Sequence, residues 1–236
     1  MNLSLLQLID SSFPTGAFSH SFGLETALQE GDVVNGDGLA KWIEAYITGS
    51  VAPVDGAGVY WAYQYADGLI NEGGEAGEAE QKLTALDQLL TLGRLAREAR
   101  EAGIKIGRRY LHTVEKLYPA SGLSSYSNWI RSGVCYGNPS IVHGWICAYL
   151  HETPQSTVLS YLYSSANMIV QNAMRAMAVG QTEGQKVLRS LLPMLERQAD
   201  LLLEHPPSPD LLSVRTIRQE IAAMRHETLY SRLFMS

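Results

Sequence analysis

Apolar residues recur at spacings of three and four along most of the chain, and no run of alternating β-branched residues interrupts them. That periodicity predicts an all-α fold, a single compact domain of about ten helices over residues 1–236. A short apolar segment at 3–9 is interrupted by Pro14 and Gly16, and 19–29 reads as a helix closed by Gly31. Asp37 is placed to cap a helix carrying Leu39, Trp42, Ile43, Tyr46 and Ile47. The next helix is expected to start near Pro53 or Val54 and to end at Gly68. Further helices are expected over about 83–102, 104–117, 140–150, 154–178, 185–204 and 210–226. Pro193 reads as a kink and the proline run 206–209 as a rigid connector.

Charge refines this picture. Lys and Arg number 18 against 24 Asp and Glu, a net charge of −6, which argues against a protein that gains affinity by neutralising phosphates. No nucleic-acid partner is expected. The segment 67–80 contains five acidic residues and no basic one, and reads as a mobile acidic loop. Charged residues make up only 18% of the chain, below the roughly 25% usual for soluble domains, so a partner or a second copy is expected to cover some surface. Between Arg131 and Arg175 the only formal charge is Glu152, which marks core or interface helices. The uncharged stretches 132–151 and 153–174 hold Gly, Asn, Pro, His and Gln, so they read as buried helices and not as membrane spans. Two cysteines and no apolar leader point to the cytoplasm.

Chemistry-bearing patterns are few. His143, Cys147 and His151 fall at i, i+4 and i+8, which lines them along one helix face and raises the alternative of a metal-dependent hydrolase using His143 and Cys147. A straight helix separates i from i+8 by about 12 Å, too far for one ion, so polar positions within a packing stripe are the simpler reading. The run 180–186 has glycines too close together for a phosphate loop, and no Ser or Thr follows its lysine. The charged helix around Arg94, Arg97, Glu98, Arg100 and Glu101 reads as a solvated face. No catalytic residue, metal or cofactor is assigned, and an enzyme is the weaker class.

Two segments carry more information. SFPTGAFSHSFGLE, residues 12–25, crowds three phenylalanines around Pro14, Gly16 and Gly23. RHETLYSRLFMS, residues 225–236, places aromatic, Met and Arg residues where a chain end is normally polar, a composition that interface cores favour. The first resembles the signature S-x-x-P-x-G-[GSA]-[YF]-[ST]-x-S-x-G-L-E of the urease accessory protein UreF family. The second is similar to that family's H-E-x-x-Y-S-R-L-F ending, and YSSANMIVQNAMRAMAVGQTEGQ resembles a third, looser block. The chain is thereby identified as a member of the family.

The resemblance implies an all-helical cytoplasmic homodimer that is not an enzyme. It implies a scaffold that binds UreD (also called UreH) and recruits the GTPase UreG for nickel insertion into apo-urease. It assigns partner binding to Pro14, Gly16, Phe18, Ser19, His20, Ser21, Gly23 and Glu25 in the N-terminal segment and its signature, and to His226 together with Glu227, Tyr230, Ser231, Arg232, Leu233 and Phe234 in a tail over 227–236. Phe18, the end of the N-terminal segment 1–18, would lie near Arg232 on the GTPase-facing surface. The Arg232 guanidinium would hold loop carbonyls around 14–18, and the terminal segments would become ordered when UreD docks. Phe18 stands where the family often has Tyr, and Met177-Ala-Val-Gly-Gln181 lacks the proline of the family's V-P-L-[GS]-Q. The remaining alternative is a helical homodimer with an unrelated partner.

Overall fold

The computed structural model describes residues 2–71 and 76–236, and among these there are helices and no strands. In chain order they are α1 (Leu3–Leu8), α2 (Leu24–Gln29), α3 (Gly36–Tyr46), a π-helical stretch (Ile47–Gly56), α4 (Ala57–Asn71), α5 (Ala76–Leu92) and α6 (Arg97–Leu117). Then come α7 (Leu123–Arg131), α8 (Pro139–Tyr149), α9 (Pro154–Ala176), α10 (Gln181–Glu204) and α11 (Ile217–Arg225).

The centre of the fold is α8, in which every residue from Ser140 to Ala148 is buried. It packs on α4, α6 and α9, and its contact with α4 depends on a residue without a side chain. A Cβ on Gly144 would stand 2.5 Å from the Val59 carbonyl oxygen and 2.7 Å from the Tyr63 nitrogen. The scarcity of charge between Arg131 and Arg175 is explained by burial of α8 and of one face of α9 in the chain's own core. One apolar cluster joins α2, α3, α9, α10 and α11 through residues such as Leu24, Ile43, Val170 and Leu191. A second joins α1 to α4 through α8 with Leu5, Leu90, Leu123 and Ile146.

Several expected boundaries move. The helix expected from Pro53 instead continues from α3 without a break, because the π-helical turns around Pro53 absorb its missing N–H. Gly68 is passed, and α4 runs to Asn71. The acidic segment 67–80 is therefore helical at both ends, since α5 starts at Ala76, and its middle lies outside the described residues. Glu78 and Glu80 are exposed on α5, and Asp67 lies within α4 without ending it. The break expected near 102 falls at 93–96, where Arg94 turns inward to Asp55 at 2.5 Å and the Ala96 N–H donates to Glu220. Helix α7 has no counterpart in the sequence reading. It is short and Ser-rich, and only Leu123 and Tyr126 of it are buried. Pro193 lies inside an α10 that is helical throughout, and the expected helix at 210–226 is regular only as α11.

Candidate partner-binding site

The segment before α2 is shaped by backbone conformations that few residues adopt. Gly16 sits at φ 77° ahead of a 3₁₀ turn over Ala17–Ser19, and Phe22 and Gly23 follow at φ 50° and 87°. Two successive left-handed residues turn the chain sharply into α2, and the one with a side chain, Phe22, is held by burial. Gly23 also lies against α11, where a Cβ would come within 2.8 Å of the Ala223 nitrogen.

This turn delivers Glu25 into the interior, where its carboxylate joins the two ends of the chain. The Leu233 N–H donates to Oε1 at 2.5 Å and the Phe234 N–H to Oε2 at 3.0 Å. His226, fully buried, lies between two carboxylates, with Nε2 2.9 Å from Glu25 Oε2 and Nδ1 2.7 Å from Glu98 Oε2. Arg232 donates to the other oxygen of Glu98 at 2.8 Å. Burial alone would raise the Glu98 carboxyl, but the hydrogen bonds from His226 and Arg232 outweigh it and hold the group below its usual range.

The last residues run back along the signature. Ser21 donates through both its N–H and its hydroxyl to the Ser236 main-chain oxygen, and the Met235 N–H donates to Ser19 O at 2.8 Å. His20 Nδ1 lies 2.8 Å from the Ser236 hydroxyl. Burial, aided by the charges of Lys105 and Arg109, lowers the His20 pKa to about 4, so the ring is neutral near pH 7. From α9, Asn172 donates to the His20 carbonyl at 2.7 Å and Arg175 to the Phe18 carbonyl at 2.5 Å. The Arg175 guanidinium also faces the rings of Phe18 and Phe234, at 5.8 and 5.2 Å.

The sequence-assigned residues thus divide into two sets. Gly16, His20, Ser21, Gly23, Glu25, His226 and Phe234 are buried, and all but the two glycines take part in the contacts that join loop to tail. Pro14, Phe18, Tyr230, Ser231, Arg232 and Leu233 are exposed on the outer side, with Ser19 and Glu227 between the two sets. Phe18 is 62% exposed and Tyr230 fully so. Two expectations change. Arg232 engages Glu98, and the loop carbonyl it was expected to hold belongs to Arg175. The terminal segments, expected to become ordered when UreD docks, pack on one another in the chain alone, where Phe234 and Ser236 are buried and bonded to the signature. Arg175, Asn172 and Glu98 escaped sequence reasoning. Glu98 read as one charge of a solvated helix, and its only signal was a set of opposite charges at the far end of the chain.

A cleft of about 180 Å³ opens beneath the loop, between α6 and α9, lined by Phe13, Phe18, Ile104, Tyr161, Met168 and Asn172 among others. His143 reaches its inner wall, where its Nδ1 lies 2.9 Å from the Tyr110 hydroxyl and its Nε2 3.0 Å from that of Ser160. Burial lowers the His143 pKa to about 4 and raises the Cys147 thiol to about 12. His151 lies beyond the end of α8, exposed, at φ 54°. The three do not converge, and among the described residues no group of three His, Cys, Asp or Glu side chains is placed to hold a metal ion. No helix among the described residues is long and apolar enough to cross a membrane.

Comparison with known proteins completes the picture. A family model described as UreF matches residues 33–192. The urease accessory protein UreF of Lachnoclostridium phytofermentans is 40% identical over 234 residues, covering 99% of this chain and 98% of that protein. The urease accessory protein UreF of Bacillus sp. (strain TB-90) is 37% identical over the same shares, and that of Streptococcus thermophilus is 32% identical over 99% of this chain and 94% of its own length.

Proposed function

This chain belongs to the UreF family of urease accessory proteins, and from that premise we propose that it is a cytoplasmic, homodimeric, non-catalytic scaffold that binds UreD/UreH and recruits the GTPase UreG for GTP-dependent nickel insertion into apo-urease. The observation that carries this reading is the junction at Glu25. One buried carboxylate anchors both the signature helix and the tail, and each of the two joined segments carries exposed residues, Pro14 and Phe18 in the first and Tyr230 to Leu233 in the second. A scaffold without a catalytic group can govern nucleotide turnover only by binding one state of the GTPase more tightly than the other. A face fixed by hydrogen bonds before the partner arrives suits that task, because little ordering entropy remains to be lost on association.

Nickel is cargo in this scheme, and the chain needs no resident metal. His143 and Cys147, the pair a hydrolase would use, face core hydrogen-bonding partners. Co-purification of this chain with UreD and then with UreG, in the presence of GTP and Mg²⁺, tests the reading. A ternary complex is expected. Failure of the chain to bind either partner at micromolar concentrations would overturn it.

A further inference from the structure

Helix α6 carries a stripe whose charge changes sign along its length. Glu98 and Glu101 open it, and Lys105, Arg108, Arg109, His112 and Lys116 follow at helical spacing. The acidic end is occupied by the chain's own tail: His226 and Arg232 sit on Glu98, while Arg97 joins Glu101 to Glu227. The basic end has no such occupant. Lys105, Arg108, Arg109 and Lys116 are exposed, and none makes an ion pair among the described residues. Exposed cations without an ion pair occur elsewhere among the described residues, Lys41, Arg189, Arg197 and Arg215 for example, and what sets these four apart is their succession along one helix.

A solvated face would explain the stripe if it stood alone, but it adjoins the signature loop. The Arg109 guanidinium covers Gly16, where even a Cβ would collide with its Nη1. Pro14 shares an open crevice with Arg108, Arg109, His112 and Thr113, and the Phe13 ring packs edge-on against Tyr110 at 5.6 Å. Arg108 is fixed by donating from Nε to the Tyr136 carbonyl at 2.9 Å. The exposed Phe18 therefore belongs to the same surface as an unpaired row of cations, with Arg175 against its ring.

We propose that the basic half of α6 is a docking stripe for an acidic protein surface, continuous with the face that Pro14 and Phe18 begin, and that the GTPase partner presents carboxylates to it. This rests on the recruitment of UreG argued above. Rim charges of this kind steer encounter and fix register, so they act on the association rate and its salt dependence more than on dissociation. The net negative charge of the whole chain disfavours a polyanionic nucleic acid as the occupant.

The test uses the full chain in complex with UreD, with association of UreG followed by stopped flow at low and high salt. Lys105→Glu combined with Arg109→Glu is expected to slow association on the order of tenfold at low salt. The Lys105→Gln/Arg109→Gln pair should fall between, and high salt should bring all three proteins together. Because Arg109 covers Gly16, Lys105→Glu/Lys116→Glu provides a second reversal that leaves the loop's support in place. Helicity and UreD affinity should stay at wild-type values. The stripe is refuted if the reversals associate at the wild-type rate with the wild-type salt dependence, if they lose UreD instead, or if a single-stranded oligonucleotide displaces UreG from the wild-type complex. A wild-type complex that fails to bind UreG at all would refute the recruitment reading itself, a result distinct from wild type and variants associating alike.

Discussion

His226 Nε2 lies 2.9 Å from Glu25 Oε2, a contact between residues 201 positions apart that closes the two ends of the chain on each other. The ring is fully buried and Glu25 is 5% exposed, so neither can exchange its partner for water. Glu25→Gln puts an amide N–H₂ where a carboxylate oxygen now faces either the Leu233 N–H or the Phe234 N–H and His226 together. Losing a charge-assisted hydrogen bond of this kind costs about 1.5 to 3 kcal/mol. Urea denaturation of the two proteins checks this, with the midpoint falling and the m-value unchanged.

Gly23→Ala is expected to destabilise the protein by more than about 1 kcal/mol. A Cβ at φ 87° is strained, and here it would also press on the α11 backbone. A thermal melt reads the loss, whereas Gly77→Ala on α5, where an added methyl meets no neighbour within 4 Å, should be neutral or stabilising.

Stability should fall between pH 6.5 and about 4. His20 and His143 are held near pKa 4 by burial against an ordinary value of 6.5, so the folded state keeps both neutral while the unfolded chain takes up two protons. The stabilisation they represent is complete above pH 6.5 and is lost as pH falls through that window, at up to about 2.7 kcal/mol per pH unit for the pair. Urea titrations at pH 7, 5.5 and 4.5 measure it, and flat stability across them would contradict the assignment. His143→Asn should remove about half of the slope.

Arg175 and Arg232 divide the role that sequence reasoning gave to one residue. Arg232→Ala should loosen the tail at Glu98, while Arg175→Ala should free the Phe18 carbonyl and both neighbouring rings. Hydrogen exchange separates them. Amides at 233–235 should lose protection in the first variant, and those at 17–20 should lose more in the second.

The helical class, the family and the two clustered segments were legible because each rests on local pattern: period 3.6 for the helices, and dense Gly, Pro and aromatic spacing for the signature. What stayed illegible was long-range. Glu98 on α6 looks like any solvated helical charge until the fold brings His226 and Arg232 to it. The Pro53 boundary was misread because a proline normally ends a helix, and only packing of α3 and α4 on the same core holds the π-turns that let the chain continue. Helix α7 was missed because two buried residues in nine make too weak a period.

The most direct test of the recruitment reading uses Phe18, which is 62% exposed and whose ring meets the Arg175 guanidinium at the surface. UreG is titrated calorimetrically, with GTP and Mg²⁺, into the complex of UreD with wild type or Phe18→Ala. An aromatic side chain that becomes buried in an interface is worth about 2 kcal/mol, so the variant should bind on the order of thirtyfold more weakly with its helicity unchanged. Equal affinity of the two complexes for UreG would contradict the account.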